Sequence, residues 1–393
     1  MYTIQAGSLF DGRAMSGPAT VRVSDGRIVG VETGTPTVDN GDVIDLGPQA
    51  CLLPGLIDCH VHLAFGAGPD AVTALREADD TELLERMRQA ARSAVRAGIT
   101  TVRDLGDRNY LALALAEELS RRPADGPEIL AAGPPLTTVG GHCFFLGGET
   151  EGADALRAAV RERHVRGCAV VKIMASGGTM TPGTAPYESQ FSLADLRVVV
   201  DEAHRLGLQV AAHAHGAAAV RDAVEAGVDT VEHMTFLTAD GSDTDPALLT
   251  AVVERGTFVS LTAGTDPRAP RELPSAVAKE FGAILGAWLE LYKHGARMVV
   301  GSDAGIGPHK PHDVLPYGVS DMIRIGVAPL DALACVTSVA AEACGVGGRK
   351  GRIAVGFDAD LLAVGGDPSE DPARLRDVRA VFRAGIRVRQ GLF

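Results

Sequence analysis

The chain lacks several features that would each indicate a class of protein. Its six cysteines are scattered and form no Cys-x-x-Cys pair, so neither disulfide bonds nor a zinc–thiolate site is expected. No uncharged apolar stretch approaches the ~18 residues that a membrane-spanning helix needs. The first residues have neither the basic nor the apolar region of a signal peptide, and we therefore expect a cytoplasmic protein.

Positive charge is also in short supply. The chain carries 37 Lys and Arg against 50 Asp and Glu, which gives a formal net charge of −13. A field of that sign argues against nucleic acid and anionic membranes as partners. It does not exclude a small anionic substrate, because bound metal would dominate the field inside a site. We expect a small-molecule substrate, and a homo-oligomer stays open.

The centre of the chain alternates apolar strands with amphipathic helices. Its hydrophobic content of 46% provides for an ample core. The alternation predicts an α/β fold in which residues 51–349 form a (β/α)8 TIM barrel, with a doubly wound sheet as the alternative. The eight predicted strands are Leu56–Leu63, Thr100–Leu105, Ile129–Ala132, Val170–Ala175, Gln209–His213, Thr230–His233, Phe258–Leu261 and Met298–Ser302.

The two ends of the chain differ from the centre and are similar to each other. Val21–Val29 alternates around an Asp-Gly pair, which indicates a hairpin. Near the other end, Ala359–Val364 is strand-like and Ala380–Val388 has the pattern of a second hairpin. We therefore predict that residues 1–50 and 350–393 form one small composite β-sandwich domain.

A lysine interrupts one of the predicted buried strands. Lys172 lies in the apolar run Ala-Val-Val-Lys-Ile-Met-Ala, where an isolated charge would cost several kcal/mol. Histidines and one aspartate end other strands, and strand ends converge on one mouth of a barrel. A lysine in that company predicts a metal ligand, either as a neutral amine or, more effectively, as the carbamate formed with CO2. The candidate ligands are His60, His62, Lys172, His213, His233 and Asp303.

His60 and His62 lie on the same face of their strand, because side chains in a strand alternate with period two. They can therefore bind one metal ion together. By themselves, two hydrogen-bonded histidines near a turn would explain the pattern equally well. Arg103 and Asp104 end the next strand, and we expect a salt bridge at the mouth, with substrate contact as the alternative.

Five ordered motifs resemble those of the amidohydrolase superfamily. Within it, the chain resembles the branch of zinc-dependent prolidase-like dipeptidases and carboxypeptidases that includes ochratoxin-type amidases. The resemblance covers nearly the whole chain. The motifs are Pro54-Gly-Leu-Ile-Asp-Cys-His-Val-His62, Lys172-Ile-Met-Ala-Ser-Gly-Gly178, His213-Ala-His-Gly216, Glu232-His233 and Gly301-Ser-Asp-Ala-Gly305.

The resemblance implies a site with two divalent metal ions, of which zinc suits imidazole and carboxylate ligands. One ion would be held by His60, His62 and Asp303. The other would be held by His213 and His233. A carboxylated Lys172 would bridge the two ions together with hydroxide.

The same resemblance implies a reaction, the hydrolysis of an amide bond in a peptide-like or N-acyl amino acid substrate by that bridging hydroxide. Asp303 would accept the proton of the hydroxide and deliver it to the leaving nitrogen. His142 would stabilise the oxyanion or contact the substrate. His215 and Tyr187, the latter in the irregular loop after Lys172, are further candidates for substrate contact.

Three other functions remain as alternatives. The same machinery could hydrolyse a lactone, a urea or a cyclic imide. A single-metal deaminase would have no ligand at the Lys172 position and would have a distinct catalytic glutamate near the fifth strand. A non-catalytic binding protein of this superfamily would have lost ligands, whereas all six positions are filled here. Neither the substrate nor the metal bound in the cell follows from the sequence.

Overall fold

The computed structural model describes residues 1–34, 42–269 and 275–388. Residues 35–41 and 389–393, which belong to the predicted terminal domain, lie outside these ranges. Within the described ranges, no helix is both long and apolar enough to cross a membrane.

The strands fall into three consecutive groups along the chain. The N-terminal group consists of β1 (Tyr2–Ala6), β2 (Ser8–Phe10), β3 (Met15–Ser16), β4 (Ala19–Ser24), β5 (Arg27–Thr33), β6 (Val43–Asp45) and β7 (Ala50–Pro54). The central group consists of β8 (Leu56–Val61), β9 (Ile99–Asp104), β10 (Glu128–Ala131), β11 (Val170–Met174), β12 (Gln209–Gly216), β13 (Thr230–Leu237), β14 (Phe258–Thr262) and β15 (Met298–Gly301). The C-terminal group consists of β16 (Leu361–Gly365), β17 (Val378–Arg383) and β18 (Ile386–Arg387).

The helices lie between the central strands and after them. They are α1 (Ala71–Glu77), α2 (Asp80–Arg96), α3 (Leu111–Ser120), α4 (Ala153–Arg166), α5 (Leu193–Arg205), α6 (Ala217–Ala226), α7 (Pro246–Arg255), α8 (Ser275–Lys293), α9 (Leu315–Ile325), α10 (Pro329–Ala334) and α11 (Ser338–Ala343). Short 3-10 helices span Pro123–Asp125, Phe144–Leu146 and Pro372–Arg376. Local sequence fixes some of the ends: Ser192 and Asp195 form a capping box at the start of α5.

All eight central strands occur where the sequence predicts them, with ends that differ by four residues or fewer. They form two parallel sheets, with the strand orders β10-β9-β8 and β11-β12-β13-β14-β15. Single bridges join the sheets, between Val61 and Ala304 and between Leu136 and Ile173. The fold is therefore a mixed α/β fold. The hydrogen-bond ladder is interrupted between the sheets and does not run continuously round a closed barrel.

Apolar strands and amphipathic helices together build the core of this region. Every residue of β8 and β11 is buried, as expected for parallel strands that are covered on both faces. The helices turn one apolar face inward; on α5 this face includes Leu196, Val199 and Ala203. The polar exceptions inside these two strands are Lys172 in β11 and Asp58 and His60 in β8, and of these Lys172 and His60 are site candidates.

Strands from the two ends of the chain share one sheet. The six-stranded sheet has the order β18-β17-β16-β7-β2-β3, and β7 pairs antiparallel with β16. A four-stranded sheet, β5-β4-β1-β6, contains the hairpin predicted at the Asp-Gly pair. Ile4, Val21, Leu52, Leu361 and Phe382 belong to one buried cluster that both sheets share. The division of the chain into a barrel and a composite domain stays a prediction.

Strand register brings the candidate residues together at one edge of the sheets. In the ladder between β11 and β12, Met174 pairs with His213. In the next ladder, His213 pairs with Glu232, and Ala214 pairs with His233. Because parallel strands end at the same edge, polar residues from distant parts of the sequence become neighbours there.

Candidate active site

Two histidines from β8 and its end meet an aspartate that follows β15. The Nε2 atoms of His60 and His62 are 3.2 Å apart. The Oδ1 atom of Asp303 lies 3.6 Å from the first of these nitrogens and 3.5 Å from the second. All three residues are buried. These three donors could hold one metal ion.

The spacing of this group fits a divalent metal. Bonds of about 2.0–2.1 Å from zinc to nitrogen or oxygen place tetrahedral ligands ~3.3 Å from one another. The three separations between the donor atoms, 3.2, 3.5 and 3.6 Å, lie close to that value. Imidazole with carboxylate is also the donor set that zinc takes in catalytic sites.

Hydrogen bonds behind the two imidazoles fix which nitrogen faces the cluster. His60 Nδ1 lies 3.0 Å from Glu232 Oε2, and His62 Nδ1 lies 3.2 Å from the carbonyl oxygen of Gly106. Both partners are acceptors, so each Nδ1 donates its proton and each Nε2 keeps a free lone pair. The ligand tautomer is therefore set by the protein.

A second imidazole group comes from β12 and β13. His213, His215 and His233 have ring nitrogens that converge closely enough to hold another metal ion. His213 Nε2 donates to the carbonyl oxygen of Gly177 at 3.0 Å, which leaves Nδ1 as its free nitrogen. The sequence predicts only one ligand from the pair His213 and His215. The structure instead brings both rings against His233, with His215 stacked on it at a centroid distance of 4.3 Å.

Burial keeps these imidazoles in the form that binds metal. Desolvation lowers the pKa of His62 to about 3 and that of His215 to about 4. Desolvation also places the pKa values of His213 and His233 well below the ordinary value of 6.5. Metal ligation requires neutral imidazole, so these groups need not lose a proton to bind near pH 7.

Asp303 stays ionised in the same surroundings. Burial alone would raise its pKa, but the field of His60, His62 and two lysines outweighs burial and lowers the pKa below the ordinary value of 3.8. A carboxylate that remains charged can both bind a cation and accept a proton during a reaction.

Lys172 is buried within this cluster and is 1% exposed. Its Nζ atom has no hydrogen-bond partner among the residues that the structure describes. Desolvation lowers its pKa from 10.5 to about 8, although Glu232 and Asp303 pull it in the opposite direction. A substantial neutral fraction of the amine therefore exists near pH 8, and a neutral amine is the form that reacts with CO2.

Glu232 is a site residue whose role did not follow from the sequence. Its side chain is fully buried and lies between His60 and Arg103, whose Nη2 donates to Glu232 Oε1 at 2.9 Å. Burial would raise the Glu232 pKa, but Arg103 and His60 lower it to about 2. This carboxylate therefore orients the His60 ring as a permanent anion. The motif Glu232-His233 includes this glutamate but does not indicate its partners Arg103 and His60.

Arg103 does form a salt bridge, but the predicted position at the mouth is wrong. Arg103 is 1% exposed and pairs with Glu232 inside the core. Asp104 accepts instead from the backbone N–H groups of Leu63 and Gly106. Arg103 and Asp104 are consecutive in a strand, so their side chains leave on opposite faces.

Left-handed backbone within β13 and just after β15 adjusts where the side chains point. His233 has φ of 68° and Asp303 has φ of 57°, in a region that non-glycine residues rarely adopt. The turn at His233 breaks the alternation of β13. Glu232 and the next residue in the chain can therefore both lie beside His60. Such strain is typical of functional sites.

His142 lies beside the second imidazole group, with its ring centroid 4.7 Å from that of His213. The backbone N–H of His142 donates to Gln190 Oε1 at 2.5 Å. A Cβ added at Gly178 would lie 2.3 Å from His142 Cε1 and 2.4 Å from Nε2. The ring therefore occupies space that only glycine at position 178 leaves open.

Lys310 connects the ends of β14 and β15 beneath the site. Its buried Nζ donates to the carbonyl oxygens of Thr262, at 3.2 Å, and Ser302, at 2.8 Å. Thr262 Oγ1 in turn lies 3.1 Å from His233 Nδ1, and Ser302 precedes Asp303. The structure therefore places Lys310 behind two candidate ligands, His233 and Asp303.

Tyr187 is the candidate that the structure does not bring to the others. Its side chain is 37% exposed, and it is absent from the described residues that line the cavity beside the imidazoles. His142 and His215 do line that cavity. Substrate contact by Tyr187 stays a prediction without support from this arrangement.

The sequence of residues 51–388 matches the amidohydrolase family. The chain belongs to that family. The predicted resemblance and the prediction of an amidohydrolase, a hydrolase of carbon–nitrogen bonds, are thereby confirmed. The amidohydrolase match includes every candidate ligand, from His60 to Asp303.

Individual relatives include members of the prolidase and ochratoxinase branch that the sequence resembles. Ochratoxinase from Aspergillus niger is 28% identical over 367 residues, which cover 84% of this chain and 73% of that protein. A Xaa-Pro dipeptidase solved with methionine in its active site is 28% identical, with a TM-score of 0.87. The match covers 99% of this amidohydrolase and 100% of the dipeptidase chain. A prolidase in complex with N-methylphosphonate-L-proline is 28% identical, with a TM-score of 0.83, and covers the same shares.

Proposed function

We propose that this amidohydrolase uses two divalent metal ions, with zinc favoured, to hydrolyse an amide bond in a peptide-like or N-acyl amino acid substrate. We also propose that the two parallel sheets together make the (β/α)8 barrel of the superfamily, since bridges join them at both ends. The residues that would hold the metal ions are His60, His62, Asp303, His213, His233 and a carboxylated Lys172.

The observation that carries this proposal is the Lys172 amine. A buried ammonium without a partner is costly, and one beside two metal ions would also be repelled. The neutral amine can react with CO2: a nitrogen–carbon bond forms, one proton leaves, and a carbamate results. That group would replace an unpaired donor with two oxygens that share one negative charge and could serve as metal ligands. The relatives named as a Xaa-Pro dipeptidase and a prolidase support a peptide-like substrate.

When bound, the metal ions would polarise the scissile carbonyl and lower the pKa of a water so that it can attack near neutral pH. The residues of the chain supply the proton transfers and the positioning. Asp303, ionised and facing the cavity, accepts the proton of the attacking water at its carboxylate and returns it to the leaving nitrogen. The amine then departs in a neutral form.

His142 would act on the carbonyl oxygen. It lines the cavity, and its Nδ1 has no hydrogen-bond partner within the described part of the chain. Burial lowers its pKa to about 3, so the ring is neutral and offers one N–H donor. A fixed donor in a buried site stabilises negative charge as it develops on the oxygen.

The first experiment measures metal and activity in the same preparation. Protein supplied with zinc and bicarbonate should contain two metal ions per chain by elemental analysis. It should hydrolyse dipeptides or N-acyl amino acids in preference to matched lactones and ureas. One ion or none under these conditions, or a preference for lactones or ureas, would contradict the proposal.

The Asp303→Asn variant then tests the proton transfer. The amide oxygen can still bind metal but cannot carry the proton, so turnover should fall by about 100-fold or more. Metal content and thermal unfolding should stay near the parent values. Near-normal turnover with both metal ions present would remove Asp303 from the mechanism.

A further inference from the structure

A cavity of about 290 Å³ extends from the imidazoles along one side of helix α8. Its lining at one end is polar and includes His60, His213 and Asp303. Its lining elsewhere is dominated by apolar side chains, of which α8 contributes five. These five residues, here called the α8 wall, are Val277, Phe281, Ile284, Leu285 and Trp288.

The α8 wall is one face of a regular helix. Its members are spaced at i, i+4, i+7, i+8 and i+11, which places them on a single stripe. Ile284 and Trp288 are buried, whereas Val277, Phe281 and Leu285 are half-buried and keep apolar surface towards the cavity. The stripe therefore does more than fill the core, because part of it is left for another apolar group to cover.

The α8 wall is held rigidly at its inner end. The Trp288 indole donates from Nε1 to the carbonyl oxygen of Met234 at 2.9 Å. Met234 directly follows His233, so the indole is tied to the strand that carries a candidate ligand. An apolar group lying on the wall would thus take a fixed position relative to the imidazoles.

Among the described residues that line this part of the cavity, the charged side chains of Asp321, Arg324 and Lys310 are engaged with the protein. Arg324 Nη1 donates to Asp321 Oδ1 at 2.6 Å, and Asp321 Oδ2 accepts from the backbone N–H of Gly264. Lys310 donates to two carbonyl oxygens. Phe65, Met180, Ile306 and Ile325 add further apolar surface to the same cavity. A charged substituent would lose water here without gaining an ion pair from the α8 wall.

We propose that the α8 wall selects substrates that carry a bulky, uncharged apolar group, aryl or branched alkyl, on one side of the scissile amide. This rests on the proposed function, because it assigns a substrate class to the same site. The helix supplies the binding surface, and the fixed indole sets the distance from that group to the reacting carbonyl. Burying such a group is worth about 10- to 100-fold in kcat/KM over a methyl group.

Two matched substrate series test the selection. One varies the acyl group on a single amino acid: acetyl, succinyl and phenylacetyl. The other keeps the acetyl group and varies the amino acid: glycine, aspartate and phenylalanine. In at least one series, the aromatic member should exceed the small and the anionic members in kcat/KM by about 10-fold or more. Equal rates throughout both series, or a preference for the anionic members, would overturn the inference.

Variants of the wall locate that preference. Phe281→Ala and Leu285→Ala should each lower kcat/KM for the preferred aromatic substrate by about 10-fold, mainly through KM, and should lower it less for the small substrate. Glu290→Ala changes an exposed residue of the same helix and is the matched control. If both wall variants keep the parent preference, the α8 wall does not select the substrate.

Tryptophan fluorescence separates this inference from the proposed function. The chain has one tryptophan, Trp288, so a change in emission reports the α8 wall itself. Titration of Asp303→Asn with an N-phenylacetyl amino acid should change the emission, whereas the N-acetyl analogue should not. A response without hydrolysis by the parent enzyme would contradict the proposed function alone. Hydrolysis of an aromatic amide without a response would overturn the inference alone.

Discussion

Two buried lysines in this molecule meet opposite surroundings. Lys172 is 1% exposed and Lys350 is 3% exposed, so both are buried. The Nζ atom of Lys172 finds no hydrogen-bond partner in the described part of the chain. The Nζ atom of Lys350 contacts Asp360, lies 3.1 Å from Glu128 Oε2 and lies 3.3 Å from Asp358 Oδ2.

The difference shows how one side chain serves two purposes. Around Lys350, three carboxylates balance the charge, and Arg349 pairs with two of the same acids. That cluster lies where β10 begins, and it joins the terminal strands to the centre of the chain. Around Lys172 no described group accepts a hydrogen bond from Nζ, and desolvation outweighs the opposing pull of Glu232 and Asp303, so the pKa falls and a neutral, reactive amine is favoured. A buried lysine whose charge is paired with carboxylates stabilises the fold, whereas a buried lysine without a hydrogen-bond partner is available for a reaction.

The largest expected effect comes from Lys172→Met. This change removes the proposed carbamate while keeping an unbranched side chain, so one or both metal ions and measurable turnover should be lost. The metal-free protein should keep its free energy of unfolding or gain, because no unpaired polar atom remains buried. Elemental analysis measures the metal content, and urea unfolding measures the free energy of unfolding. Full metal content with parent turnover would show that Lys172, like Lys350, is not needed for metal binding or catalysis.

Lys350→Met should produce the reverse pattern. Removing the lysine leaves three carboxylates facing one another in a partly buried cluster, which should cost about 3–5 kcal/mol in the free energy of unfolding. At temperatures where the variant is folded, turnover and metal content should match the parent. Lys293→Met, which breaks the exposed pair with Glu290, is the control and should leave the free energy of unfolding nearly unchanged. An equal loss of stability in both variants would refute the comparison.

Gly178→Ala tests the site without touching a ligand. The new Cβ would overlap the His142 ring and displace it, so kcat should fall by about 100-fold while both metal ions stay bound. Gly68→Ala is the matched control, because no heavy atom of the described structure lies within 4 Å of its added Cβ. Parent-like kcat in Gly178→Ala would exclude His142 from catalysis.

The smallest expected effect is on acid stability. Burial would raise the pKa of Glu128, but Arg349, Lys350 and Arg383 lower it from 4.5 to about 2. A carboxyl whose native pKa is depressed stabilises the fold above its unfolded pKa. That contribution, about 3 kcal/mol, disappears as the pH falls from about 4.5 to about 2. Urea unfolding of Glu128→Gln should therefore depend less on pH in this window, and an unchanged slope would contradict the ion pairing.

The sequence predicted the elements of the site better than its connections. Apolar runs located the eight strands, and the site residues at their ends followed from the convergence of parallel strands. The pairing of Arg103 with Glu232 could not be predicted, since it joins residues 129 positions apart through the core. Lys350 lies in Gly-Arg-Lys-Gly-Arg, a pattern typical of an exposed loop, and only the fold brings Glu128 to it.

The α8 wall shows a different limit of sequence reasoning. Its apolar stripe has the periodicity of any amphipathic helix, so nothing local separates a core face from a substrate-facing one. Only the burial of each member, and the cavity beside them, makes that distinction. The wrong placement of the Arg103 salt bridge has a similar origin, because a position at the end of a strand predicts the mouth and says nothing of a partner inside the core.

The Arg103–Glu232 pair also has consequences for how this chain can evolve. Arg103 donates to Cys59, Thr230, Glu232 and Ala343, so three strands and the end of α11 depend on one guanidinium. Replacing either charge alone would leave the other buried and unpaired. A lineage that changes the two positions one at a time would pass through a protein with one unpaired buried charge. If Glu232 is the residue lost, the His60 ring also loses its hydrogen-bond partner. We expect positions 103 and 232 to vary together or not at all among descendants that remain active.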